Sequence, residues 1–133
     1  MRIINVKNLT KKYQDVTAVD HLTFHVDQGE VFGLLGPNGA GKTTTIRMLC
    51  CLIKKTSGEA TIDGYDIGSE SDGLKIRKMI GLVPDNVGLF DELSAYENLD
   101  YYAKLYECTR QERSENIAYF LKLLGLWGQW RNQ

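Results

Sequence analysis

Residues 36–45, Gly36-Pro37-Asn38-Gly39-Ala40-Gly41-Lys42-Thr43-Thr44-Thr45, decide how this chain is read. The first eight fit GxxxxGK[ST] at every fixed position, the pattern of a loop whose main-chain N–H groups wrap a polyphosphate. What flanks the loop gives the match its weight. Before it, "EVFGLLG" at 30–36 is an unbroken apolar run, the pattern of a strand buried on both faces of a sheet. After it, Ile46, Leu49, Cys50 and Ile53 fall at i, i+3, i+4 and i+7. That spacing predicts a helix from about Lys42 to Leu52 with this face on the sheet.

A polyphosphate carries several negative charges, and the first turn of a helix offers unpaired N–H groups at the positive end of the macrodipole. Wrapping it demands backbone angles and a close approach that glycine tolerates best, which Gly36, Gly39 and Gly41 supply, with Asn38 and Ala40 completing the loop. Lys42 is expected to reach the β- and γ-phosphates, Thr43 to ligate Mg²⁺, and Thr44 to contact the α-phosphate side.

Outside the loop the sequence reads as a single domain of 133 residues with a net charge of -1, so no basic field points to nucleic acid. No apolar stretch approaches the length of a bilayer span and the opening "MRIINVKNLTKKY" lacks a secretory core, so the cytoplasm is the expected location. Cys50, Cys51 and Cys108 form no CxxC and are read as reduced, mostly buried thiols. His21 and His25 lie in an alternating stretch, four apart on a strand and thus about 13 Å from each other, too far to share a metal ion.

Strands are predicted at 2–9 and 22–26 with a turn at 27–29, an extended segment over 57–67 interrupted by the Asp63-Gly64 turn, a short helix at 72–78, and a second buried strand at 79–83 ended by Pro84. Ser94-x-x-Glu97 and Thr109-x-x-Glu112 have capping-box spacing and predict two helix starts. Ile117, Phe120, Leu121 and Leu124 form an apolar stripe on the second helix, which Gly125 is placed to end.

From about Ile3 to Leu124 these residues resemble the amino-terminal half of an ABC-transporter ATP-binding subunit, in the flavour of those serving ABC-2-type exporters. The resemblance rests on "LTKKYQDVTAVDHLTFHVDQGEVFGLLGPNGAGKTTTIRMLCCLIKKTSGEATIDGYDI" and "IGLVPDNVGLFDELSAYENLDYYAKLY". It implies a partial α/β P-loop NTPase fold: a mainly parallel core sheet with helices, an N-terminal antiparallel β subdomain, and a C-terminal helical subdomain. The whole of 1–133 would be one incomplete ATP-binding domain, divided at about residue 90. The resemblance also implies that Tyr13 stacks on adenine, a contact that needs no base-specific hydrogen bond. It implies ATP and Mg²⁺ as ligands, a membrane permease and a second ATP-binding subunit as partners, and a place at the inner face of the membrane.

Asp85 stands where most members of that family carry a glutamine that senses Mg²⁺ and the γ-phosphate. As a carboxylate it can hold Mg²⁺ or its water but cannot donate to an attacking water. The following "NVGLFDELSAYENL" is similar to the surface such subunits present to a permease. The family's LSGGQ-type signature, the strand ending in acidic residues, and the switch histidine do not occur up to Gln133. The expectation is therefore a chain that binds ATP and hydrolyses it poorly, in contrast to an intact ATPase subunit, and that shields an open sheet edge by self-association. Two alternatives stay open at this point. One is a GTPase-like switch, with "DNVG" at 85–88 as DxxG; the other is a non-hydrolysing nucleotide-binding or interaction module.

Overall fold

Two long strands, β1 (Arg2–Tyr13) and β2 (Val16–Asp27), form an antiparallel hairpin over the first 27 residues of the computed structural model. The pairing runs beyond the predicted strands because Lys11, Lys12 and Tyr13 find partners in Val19, Thr17 and Val16. On the other side of β1 lies β3 (Ser57–Ile62), and the two-residue β4 (Tyr65–Asp66) closes the sheet in the order β2-β1-β3-β4. Asp63 and Gly64 join β3 to β4 with both φ angles positive, at 50° and 80°. This is the mirror-image turn whose twist matches a hairpin. The turn after β2 also forms where expected, with the Glu30 N–H donating to the Asp27 carbonyl at 3.1 Å. The description covers residues 1–37, 39, 41–83 and 88–129.

Helix α1 (Lys42–Leu49) packs on this sheet through Thr45, Met48 and Leu49; of the expected stripe Leu49 is buried and Ile53, beyond the helix end, packs against the core, whereas Ile46 is exposed and Met48 takes the central place. The helix is shorter than its periodicity suggested. Cys51 adopts φ 59°, and the N–H groups of Cys51 and Leu52 return to the carbonyls of Met48 and Arg47 at 3.0 and 2.9 Å. That pair of bonds is a Schellman ending, which turns Ile53 off the helix and leaves Met48, wholly buried, as the centre of the face. Helix α2 (Glu70–Met79) begins on Ser69, whose hydroxyl accepts from the Asp72 N–H at 3.3 Å. Its Ile76 completes a core with Val6, Leu9, Val19, Ala60 and Ile62.

Neither predicted buried strand forms. Residues 30–36 and 80–83 are irregular, Met79 ends helix α2, Val31 and Leu35 are 100% and 97% exposed, and every strand pair among the described residues is antiparallel. The reason is pairing. An apolar run becomes a central strand only when neighbours on both edges take its N–H and C=O groups and layers cover both faces. Here the first run has a single aromatic anchor, Phe32 stacked on Phe24 at 5.0 Å.

The chain divides into two compact units, 1–82 and 83–133. In the second, α3 (Ala95–Leu105) and α4 (Arg110–Leu123) start on the two expected capping boxes, Ser94 with Glu97 and Thr109 with Glu112. A short 3₁₀ turn, Trp127–Gln129, follows α4. Gly125, at φ 73°, ends α4 with the paired bonds Gly125 N–H to Lys122 and Leu126 N–H to Leu121. Of the expected stripe only Ile117 and Leu121 are buried, while Phe120 and Leu124 face solvent. Asp100 ties the two helices together, accepting from Arg113 at 2.8 Å and from Lys104 at 3.2 Å. Desolvation pushes its carboxyl up, but those hydrogen bonds and charges outweigh it and hold the pKa below the usual carboxylate range.

One buried side chain organises the approach to α3. Asn98 accepts from the Phe90 N–H at 2.8 Å and donates to the carbonyls of Phe90, Leu93 and Ser94 at 3.1, 3.3 and 3.0 Å. All four bonds disappear in Asn98→Ala. With several main-chain groups left unpaired, the variant is expected to lose about 2 kcal/mol, read by chemical unfolding of the second unit. A loss below about 0.5 kcal/mol would show that water replaces the amide without cost.

Candidate functional site

The glycine loop reaches α1 through a backbone constraint that the motif alone does not reveal. Gly41 caps the helix at φ 86°, and a Cβ built on it would sit 2.3 Å from the Ala18 carbonyl oxygen and 3.1 Å from a Val19 methyl. The loop thus leans directly on β2. Gly39 is also left-handed, at φ 87°. Ala18, Gly39, Gly41, Lys42, Thr43 and Thr44 line a cavity of about 340 Å³ at this end of the helix.

The electrostatics of the cavity are set by donors. No side chain caps α1 and no acidic residue occupies its first turn, so among the described residues the first-turn N–H groups have no side-chain acceptor. Thr45 turns inward, its hydroxyl and its N–H both donating to the Gly41 carbonyl at 2.8 Å. The Lys42 ammonium folds back onto the Gly36 carbonyl. Among the described residues no carboxylate pairs with it, so its charge faces a neutral acceptor only. An exposed Thr43 and a half-buried Thr44 complete the first turn.

Tyr13 ends β1, 49% exposed, with the Lys11 ammonium 4.9 Å from its ring centroid. Its partner Val16 lies two residues before Ala18, which puts the ring on the order of 10 Å from the loop at a strand rise of about 3.3 Å per residue. The hairpin therefore brings Tyr13, Gly36, Gly39, Gly41, Lys42, Thr43 and Thr44 into one neighbourhood. Asn38, Ala40 and Asp85 lie outside the described residues. Sequence reasoning missed Ala18, because its contribution is a main-chain oxygen that carries no side-chain signal.

The cysteines take no part in this site. All three are free and half-buried, somewhat more open than expected, and burial pushes the thiols of Cys50 and Cys51 up, away from the reactive thiolate form. His21 bonds its neighbour Asp20 at 2.6 Å on the open strand β2.

Comparison with known proteins agrees with this geometry. The linearmycin resistance ATP-binding protein LnrL of Bacillus subtilis (strain 168) is 41% identical over 124 residues, which are 93% of this chain and 39% of LnrL. The probable multidrug ABC transporter ATP-binding protein YbhF of Escherichia coli (strain K12) is likewise 41% identical, over 93% of this chain and 21% of its own length. The chain thus spans well under half the length of these curated relatives. Among solved structures, a dimeric post-hydrolysis state of the ATP-binding cassette MJ0796 bound to ADP and Pi superimposes with a TM-score of 0.80. Identity there is 28%, covering 98% of this chain and 60% of that one. The sequence pattern of the family described as ABC transporter matches residues 19–133, from the first half of β2 through both units. On that match, and on a fold shared with ATP-binding cassettes, the chain belongs to the ABC transporter family.

Proposed function

We propose that this chain holds the Mg-ATP-binding part of a transporter's ATP-binding subunit, and that in the full-length protein ATP hydrolysis drives transport through a membrane permease. The observation that carries the reading is the cradle at Gly41: a left-handed glycine locked against Ala18, opening a helix with no side-chain cap beside a lysine that, among the described residues, has no acidic partner. Cavity, donors and charge all suit a polyanion, and none suits a cation alone.

In this reading Gly36, Asn38, Gly39, Ala40 and Gly41 supply main-chain N–H groups to the phosphates. Lys42 leaves the Gly36 carbonyl for the β- and γ-phosphates, and Thr44 bonds near the α-phosphate. Thr43 and Asp85 are the residues that would hold Mg²⁺, whose chemistry is to neutralise charge on the transferring phosphoryl group. Tyr13 receives the adenine. The dimeric MJ0796 cassette supports a second ATP-binding subunit as partner. Segment 86–99 is the surface proposed to meet the permease. No helix among the described residues is long and apolar enough to cross a membrane, so membrane attachment would run through that permease.

Titration calorimetry tests the reading. Mg-ATP is expected to bind with a dissociation constant below about 1 mM, equivalent to at least about 4 kcal/mol. GTP should compete within roughly tenfold, because stacking on Tyr13 reads a planar base and not its edge. No heat at millimolar Mg-ATP with folded protein would overturn the proposal. A guanine preference well above tenfold would favour the switch-protein alternative.

A further inference from the structure

Lys11 stands outside the phosphate loop, yet its ammonium is held between two fixed points. It donates to the Lys54 carbonyl at 2.7 Å and lies 4.9 Å from the centroid of the Tyr13 ring. Residues two apart on a strand share a face, so both side chains project from the same side of β1. The carbonyl is itself anchored. Two residues on, the Thr56 N–H donates to the Thr10 carbonyl at 2.9 Å, and the Thr56 hydroxyl accepts from the Lys12 N–H at 2.9 Å. The cation is therefore pinned by a loop that is stitched to the strand carrying the aromatic ring.

We propose that Lys11 is a positioning residue for nucleotide: it orients the Tyr13 ring as a one-sided platform, covering one face and leaving the other for the base. The inference rests on the reading of Tyr13 as the adenine platform. A half-exposed tyrosine at a strand end is otherwise free to change rotamer, and a ligand that stacks on it must order it at a cost in affinity. An ammonium over one face is attracted by the ring quadrupole and sets the ring plane before the base arrives. The strand register extends this to the rest of the site. Lys11 pairs with Val19, whose methyl abuts Gly41, so ring, cation and loop share one stretch of hairpin.

The test compares Lys11→Met, which keeps the apolar stem and removes the charge, with Lys11→Arg, each titrated with Mg-ATP and with magnesium tripolyphosphate at fixed salt. Lys11→Met should bind ATP about threefold more weakly, as expected for an exposed cation–π contact, with tripolyphosphate binding unchanged and Lys11→Arg close to wild type. In a Tyr13→Ala background the Lys11→Met change should have no further effect. Equal weakening of ATP and tripolyphosphate would make Lys11 a diffuse charge effect and overturn the inference. So would a silent Lys11→Met when Tyr13→Ala alone weakens ATP. A Tyr13→Ala variant that binds ATP normally would overturn the platform reading and this inference with it.

Discussion

Gly41→Ala is expected to abolish ATP binding and to destabilise the first unit by about 3 kcal/mol. Two costs add. An alanine at φ 86° enters the left-handed region at a cost of about 1–2 kcal/mol. The new methyl also arrives 2.3 Å from the Ala18 carbonyl oxygen, a main-chain atom of a paired strand that has no flexible end to swing away. Overpacking of this kind costs about 1–3 kcal/mol even where neighbours adjust. Relief requires the loop to lift off β2, which moves the start of α1 and turns its N–H groups out of line. The measurements are chemical unfolding and calorimetry on the same preparation. A Gly41→Ala protein that binds Mg-ATP as wild type does would show that the contact with Ala18 is dispensable.

Lys42→Ala is expected to separate those two effects. Among the described residues its ammonium bonds the Gly36 carbonyl, near the surface, so folding should change by less than about 0.5 kcal/mol. Binding should suffer far more. A charge-assisted hydrogen bond to phosphate is worth about 1.5–3 kcal/mol, so the dissociation constant for Mg-ATP should rise about 100-fold at most and about 10-fold at least. The alanine variant serves as the folded control that Gly41→Ala cannot be. Unchanged affinity in Lys42→Ala would place the phosphates elsewhere and remove the basis of the proposed function.

What the sequence discloses here divides by the range of the interaction. The capping boxes at Ser94 and Thr109, the Asp63-Gly64 turn and the stop at Gly125 are each decided within about four residues, and all are present in the structure. Glycine spacing and Lys42 likewise announce the phosphate loop from a contiguous pattern. Residues 30–36 show the opposite limit: their composition suits a buried strand, but a strand exists only when partners far along the chain take its hydrogen bonds. The α1 face was misread for a related reason. Periodicity places Ile46 and Ile53 on one stripe, but the left-handed Cys51 ends the helix before that stripe is complete. Asn98 and Lys11 were missed because main-chain partners outside their own elements, the Phe90 and Lys54 carbonyls that accept from them, become neighbours only after folding. For Asn98 a hint existed, since it follows the Ser94 cap by one helical turn.

The strand order carries a kinetic corollary. Pairing β1 with β2 links residues close in sequence across a two-residue connection, whereas Val6 meets Ala60 only after the whole glycine loop and α1 have been made. Local contacts form quickly and distant ones wait for a large loop to close, at an entropic cost that grows with its length. During synthesis the hairpin therefore emerges as an early template, and annealing of β3 is the late event that fastens the intervening cradle beneath it.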